Sequence, residues 1–257
     1  MAWTVLVTGG SSGIGYELAK RFARDGHRLI LVARDEERLA SAATALEAFG
    51  ERPSCIAGDL ARPSAPFDIA RGIEESGRTV DVLVNNAGFG LHGAFVESDL
   101  EASLDEIRVN VLALTALTRL LLPGMVERGH GHVLNVASTA AYFPGPFMDV
   151  YYASKAYVLS FSEGLANELR GTGVKVTVLC PPATQTGFAS RAGAASSRLF
   201  RIGVMDARTV ADAGYNAVLR GRTVVVPGLF GRLSTFSARF APRGLLANVV
   251  RGLHAEA

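Results

Sequence analysis

A chain of 257 residues with 49% hydrophobic and 19% charged side chains can fill a sizeable apolar core, which excludes an intrinsically disordered protein. The 26 basic residues against 24 acidic ones leave a formal net charge of +2, so nothing in the overall balance asks for nucleic acid. The length fits one domain over residues 1–257 better than two. Cys55 and Cys180 lie far apart inside apolar runs, which predicts buried free thiols in a reducing compartment. Residues 1–8 lead straight into a glycine turn without a basic leader, and no apolar run matches the roughly 18 to 20 residues that span a bilayer. A soluble, cytoplasmic protein is the expectation.

In chain order, Thr4 to Val7 reads as a buried parallel strand, followed by Thr8-Gly9-Gly10-Ser11-Ser12-Gly13-Ile14-Gly15 and a helical pattern ending at Gly26. Glycines at 9, 13 and 15 allow a tight turn and close approach of a pyrophosphate, while the free N–H groups of a new helix form an anion site. A second strand, Arg28 to Ala33, ends at Ala33 where a ribose-binding carboxylate would stand in an NAD site, with Arg34 next. A guanidinium there can pair a 2′-phosphate and favours NADP(H) over NAD(H); the alternative is a solvated arginine ahead of a helix capped by Asp35.

Glu36 to Phe49 is helical by periodicity, and Pro53 to Ala57 is a third strand leading to Gly58-Asp59-Leu60. Asp59 can accept a bond from an adenine amino group or serve a turn. After a helix around Phe67 to Glu75, the strand Val80 to Val84 delivers Asn85-Asn86-Ala87-Gly88, a pattern of amide bonding with close backbone approach to a ligand. His92 reads as a loop histidine. Helices are predicted over Asp99 to Ile107 and Val109 to Val126, with Asn110 a cap near the start of the second. A strand from Gly131 to Ala137 ends at Ser138, and thirteen residues later comes Tyr151-Tyr152-Ala153-Ser154-Lys155 at the head of a helix reaching Arg170. That spacing puts Tyr151 and Lys155 one turn apart on one face, where a cation lowers a phenol pKa from about 10. Alone, the spacing also occurs by chance.

Lys175 to Leu179 is the sixth strand, and a loop of about residues 181–205 over its end is a candidate substrate lid. A helix from Asp206 to Arg220 and a strand Thr223 to Val226 close an α/β fold: a Rossmann-like, doubly wound parallel sheet of about seven strands, with its site at the strands' C-terminal ends. From Ala213 to Ala255 there is no Asp or Glu, and the tail of about residues 229–254 carries Arg232, Arg239, Arg243 and Arg251 between apolar residues at helical spacing. Packing on the body or a second subunit is expected of this stripe; a peripheral membrane contact is the alternative.

With the glycine turn, Asn-Asn-Ala-Gly, Ser138, Tyr-x-x-x-Lys and Pro181 in order, the chain resembles the short-chain dehydrogenase/reductase family from Thr4 to about Val226, and looks like a bacterial subgroup of broad or unknown substrates. The resemblance implies Tyr151 as general acid/base, Ser138 on the reacting oxygen, Lys155 on the nicotinamide ribose and lowering the tyrosine pKa, and Asn110 in a water-linked relay. It implies cofactor contacts from Gly9, Ser11, Ser12, Gly13, Ile14 and Gly15 at the phosphates, Arg34 at the 2′-phosphate, Asp59 and Leu60 at adenine, Asn86, Ala87 and Gly88 near the ribose, and Pro181 and Thr186 near the carboxamide. Pro182 stands where the family usually has Gly, which stiffens the loop. The reading is an NADP(H)-dependent oxidoreductase of a hydrophobic carbonyl or secondary alcohol, metal-free and homodimeric or homotetrameric through the Val109 and Tyr151 helices. Its rival is a catalytically silent nucleotide-binding regulator or scaffold. Tyr152, off the motif, is assigned to packing.

Overall fold

A computed structural model describes residues 2–198 and 204–254; Met1, residues 199–203 of the substrate loop and 255–257 lie outside the described residues. In chain order the elements are β1 (Thr4–Thr8), α1 (Gly13–Arg24), β2 (Arg28–Ala33), α2 (Glu36–Leu46), β3 (Ser54–Ala57), α3 (Ala65–Glu75), β4 (Val82–Asn85), α4 (Leu100–Ile107), α5 (Leu114–Glu127), β5 (Gly131–Val136), α6 (Asp149–Glu168) and β6 (Val174–Leu179). There follow β7 (Thr184–Gln185), α7 (Phe188–Arg191), β8 (Met205–Asp206), α8 (Ala207–Leu219), β9 (Val224–Val225), α9 (Leu229–Ser237) and α10 (Arg243–His254).

Seven strands pair in parallel in the order β3-β2-β1-β4-β5-β6-β9. Because helices cover both faces, the central strands are apolar throughout rather than alternating: Val5, Leu6 and Val7 are fully buried, as are Val82, Leu83 and Val84. The strand order reverses between β1 and β4, and a crevice opens at that switch point beyond their C-terminal ends. The chain at those two ends is the glycine turn and Asn86-Ala87-Gly88. The seven-stranded Rossmann-like sheet is as expected, while β7 and β8 form a small parallel pair within the substrate loop.

Cys180 is buried but Cys55 is exposed, contrary to expectation. The reason is that β3 is the sheet edge, where burial alternates along the strand.

The two helices predicted around Asp99–Val126 are one continuous rod, in which α4 passes through a π-helical segment, Arg108–Ala113, into α5. Asn110 therefore caps nothing; it lies inside the rod, 1% exposed. Merging the two helices also corrects the expectation about apolar runs, since Leu100–Glu127 is long and apolar enough, by length and composition, to cross a membrane. One of its faces is instead spent on the core: Leu117 and Met125 pack with Leu83 and Val133 of the sheet.

The tail divides. In α10, Leu246, Val250 and His254 recur at four-residue spacing and are buried, Val250 against Met148, Tyr152 and Ala192. In α9, Leu229, Leu233 and Phe236 line the outer face and, with Phe240 just beyond the helix, stay exposed on this chain. The buried end of α10 is fixed by two histidines: His254 Nε2 and Tyr152 Oη lie 2.9 Å apart, and His92 Nε2 faces the His254 carbonyl at 3.3 Å. Burial, with His92 nearby, pushes the His254 imidazole down to about 4. A histidine held below its unfolded value is neutral in the fold, so its share of stability is complete above about pH 6.5 and is lost as pH falls toward 4. Hydrogen exchange should show α10 opening across that window while β1 and β4 stay protected, and His254→Gln should flatten the pH dependence.

Candidate active site

The glycine turn is braced before any ligand is considered. Gly9 and Gly13 adopt positive φ of 66° and 57°, open to glycine at little cost. Gly9 N–H donates to Val32 O at 2.8 Å, and Asn86 Nδ2 donates to Thr8 O at 3.0 Å and Gly9 O at 3.2 Å, while Thr8 Oγ1 accepts from the N–H groups of Asn86 and Ala87. The Asn86 side-chain amide nitrogen is thus a strut between the ends of β1 and β4. A Cβ on Gly15 would sit 2.4 Å from Gly9 O and 2.3 Å from Asn86 Nδ2, so the turn closes around a hydrogen atom. Ser12 precedes α1 without a side-chain cap, which leaves the first-turn N–H groups of Gly13, Ile14 and Gly15 directed beyond the helix start. This cradle fits a dinucleotide pyrophosphate, with Ser11 and Ser12 on its rim.

On the adenosine side, Arg34 and Arg38 are exposed, and Asp35 caps α2 by accepting from Arg38 N–H. Arg191 of the substrate loop is driven below its ordinary range, first by burial and then by Arg38 and Arg34. Three guanidiniums converge here, of which the sequence pointed to one; Arg38, four residues after Arg34, carried a readable signal, whereas Arg191 comes from a distant loop. Asp59 takes the turn role, its Oδ1 accepting from Ala61 N–H at 3.1 Å, and the Leu60 side chain is committed to the core beside Ile69.

At the other end of the crevice, Ser138 follows β5, accepts from Ala140 N–H at 3.1 Å and donates to Pro181 O at 3.4 Å. Tyr151, in the first turn of α6, has its ring 5.0 Å from that of Phe188. Lys155, 5% exposed, donates from Nζ to Val136 O at 2.9 Å and lies 5.7 Å from the Tyr151 ring centre. Asn110 Oδ1 accepts from Phe89 N–H at 3.1 Å, and its Nδ2 donates to Phe89 O at 2.8 Å and to Ser154 Oγ at 3.0 Å. A Cβ on Gly88 would meet Asn110 Oδ1 at 2.9 Å and Lys155 Nζ at 3.3 Å, and one on Gly90 would meet Tyr151 Cδ2 at 3.0 Å. Ser138, Tyr151, Lys155 and Asn110 are therefore gathered around one loop. Thr186 stands against the glycine turn, 3.2 Å from where a Gly13 Cβ would be, and its hydroxyl accepts from Phe188 N–H.

Electrostatics depart from the expected pattern. In the chain itself the Tyr151 phenol is pushed up to about 12 by burial, against which the Ser138 hydroxyl pulls it down. Lys155 does not bring it below its ordinary value, because the ammonium points to Val136 O and is itself pushed down to about 8 by burial. The counterweight on Lys155 is Glu106, a residue sequence reasoning passed over; it is 1% exposed, and burial raises it to about 7. Its signal was a carboxylate one helical turn before Asn110 on the same face.

An apolar cluster lies beside Tyr151: Met148, Ala192 and Ala194 pack with Phe143, Tyr151 and Phe188. Among the described residues no cluster of three His, Cys, Asp or Glu side chains could hold a metal ion.

The sequence profile of the short chain dehydrogenases matches residues 3–196. The chain belongs to that family. It is 40% identical over 182 residues to the NADP-dependent 3-hydroxy acid dehydrogenase YdfG of Salmonella typhimurium, an alignment covering 69% of this chain and 71% of the relative. Among solved structures, a short-chain dehydrogenase from Sphingobium yanoikuyae in complex with NADPH superposes with a TM-score of 0.83 at 36% identity, over 94% of both chains. The bulky-bulky ketone specific alcohol dehydrogenase of Comamonas testosteroni gives 0.78 at 31% identity over 93% of both. A family member from Burkholderia phymatum in complex with NAD gives 0.83 at 27% identity, over 91% of this chain and 92% of that one. This short-chain dehydrogenase is thus an NAD(P)-dependent oxidoreductase of alcohols and ketones.

Proposed function

We propose that the enzyme uses NADP(H) to interconvert a hydrophobic ketone and its secondary alcohol, with Tyr151 as the proton donor and acceptor. The observation that carries this reading is the convergence of Ser138, Tyr151 and Lys155 beside an apolar cluster at the C-terminal end of β5. The nicotinamide of a dinucleotide bound in the cradle at Gly9 to Gly15 would supply or take the hydride. In the reductive direction the Tyr151 hydroxyl gives its proton to the developing alkoxide, and the Ser138 hydroxyl holds the same oxygen. Lys155, its Nζ 5.7 Å from the Tyr151 ring centre, supplies a positive charge near the phenolate left behind and is the residue that would meet a nicotinamide ribose. Asn110 holds the Phe89 backbone by two bonds and so fixes the loop against which substrate and ribose rest. The rings of Phe143 and Phe188 beside Tyr151 favour a bulky, apolar carbonyl compound over a small polar one.

Preference for the phosphorylated cofactor rests on Arg34, Arg38 and Arg191: none forms an ion pair among the described residues, and a 2′-phosphate would relieve their mutual repulsion. Replacing Arg34 and Arg38 together by Ala should weaken NADPH binding by about two orders of magnitude and leave NADH binding unchanged. Fluorescence titration of both cofactors decides it, and an equal loss for the two would remove the 2′-phosphate assignment. We further propose a homodimer or homotetramer in the cytoplasm, built on the outer faces of α4 to α6, where Leu100, Leu112, Leu120 and Tyr157 are exposed on this chain. A screen of NADPH consumption over ketones of graded size tests the reading as a whole; cofactor binding with no turnover on any of them would favour a silent regulator.

A further inference from the structure

Lys155 sits in surroundings that should strip its proton. Its Nζ has one hydrogen-bond acceptor, the neutral Val136 carbonyl, and almost none of its surface meets solvent. An ammonium removed from water and not paired is costly, so such a lysine neutralises unless a carboxylate faces it. Glu106 is that carboxylate. It comes from α4, which packs against α6, and is itself 1% exposed. The Leu91 N–H acts on its carboxyl and favours the charged form, and one carboxyl oxygen, Oε1, is buried without a hydrogen-bond partner. No Lys or Arg among the described residues lies within ion-pair contact of it, so its charge acts on Lys155 through space and not as a contact pair.

The loop ties the two together. Gly88 lies against Lys155 Nζ, Gly90 against the Tyr151 ring, and Leu91 on Glu106, while Asn110, one turn beyond Glu106, grips Phe89 between them. Tyr152 is engaged with His254, Tyr157 with Thr115, Arg108 with Asp105 and Glu101, and His92 with the His254 carbonyl, while Cys180, which also acts on Lys155, is a buried thiol raised well above its ordinary value and so is neutral. Asp149 opens α6 in its first turn. Tyr151 and Lys155 remain as the groups on which Glu106 acts.

We propose that Glu106 is a positioning residue for proton transfer: its carboxylate is the counter-charge that keeps buried Lys155 an ammonium beside Tyr151, and its second oxygen anchors the loop over residues 88–91 at Leu91. The proposal rests on the reductase reading for its catalytic meaning, but its physical content concerns the chain alone. A carboxylate there raises the pKa of Lys155 and of Tyr151 alike. Removing the charge lowers both, and both changes carry the loss of ketone reduction to lower pH, because reduction needs the phenol and the ammonium protonated.

The chain has three lysines, Lys20, Lys155 and Lys175, so NMR of protein labelled at lysine ¹³Cε can follow each one. In the cofactor-free protein Lys155 should titrate near 8. In Glu106→Gln, which keeps an acceptor for Leu91 N–H, that titration should fall by about one unit or more while Lys20 and Lys175 stay in place. The alkaline limb of kcat for ketone reduction should move the same way, with KM little changed. Glu106→Leu should shift the limb equally and also raise KM, since the loop anchor goes too. Lys155 titrating at the same pH with and without the carboxylate overturns the proposal; if Glu106→Gln does not fold, Glu106→Met carries the same NMR prediction. The titration needs no turnover, so failure to reduce any ketone would refute the reductase reading and leave this result standing.

Discussion

Replacing Tyr151 by Phe should lower kcat for ketone reduction about a thousandfold and leave NADPH affinity unchanged, the scale expected when a positioned acid is removed. The ring's contacts survive, since Phe keeps the packing against Phe188 and Tyr152, so a loss of activity cannot be put down to a collapsed pocket. Tyr152→Phe is the control: it deletes the bond to His254 and should loosen α10, yet it leaves the proton donor in place. Stopped-flow reduction of one ketone substrate by each variant separates the two tyrosines. If Tyr151→Phe turns over like the parent, the donor lies elsewhere.

The second large effect concerns a residue with no side chain. Gly15→Ala would force a methyl group against the Gly9 carbonyl and the Asn86 amide, at 2.4 and 2.3 Å from the site a Cβ would occupy. Neither neighbour is the free end of a flexible chain: Gly9 O is backbone, and Asn86 Nδ2 is tied to Thr8 O and Gly9 O. Relief requires α1 to move away from the turn. We expect a stability loss of about 1–3 kcal/mol from overpacking, together with a fall in NADPH affinity of about a hundredfold or more as the first-turn N–H groups leave their positions. Thermal melting and fluorescence titration measure the two losses separately. A variant that melts lower but binds NADPH normally would show that Gly15 matters to packing and not to the cofactor cradle.

These two predictions differ in how far the sequence supports them. The order of strand, glycine turn, Asn-Asn-Ala-Gly, serine and Tyr-x-x-x-Lys is local information, because each piece needs only residue types at short spacing. It yielded the sheet class and the candidate group of Ser138, Tyr151, Lys155 and Asn110. The choice of Tyr151 over Tyr152 was also legible from spacing, and the structure places the first beside Lys155 and buries the second against His254. The close approach that forbids a side chain at Gly15 was only half legible: the glycine was visible, but the amide it presses on lies some seventy residues away, just past the end of β4.

What the sequence by itself determined is the alternation of apolar strands and amphipathic helices, hence a parallel sheet with its functional groups at one end. Periodicity and turn chemistry are properties of neighbours in the chain, and they suffice for that. The tertiary structure alone decided the rest. It ran α4 and α5 together through a π-helical segment, turning Asn110 from a cap into a clamp on Phe89, because the packed rod rather than asparagine's own preference set the backbone there. It brought Arg191 to Arg34 and Arg38, and His254 to Tyr152, pairs with no relation in sequence. It also set the charge states. Whether a lysine near a tyrosine lowers the phenol's pKa depends on burial and on the third group beside them. In this fold that burial is nearly complete and the third group is Glu106.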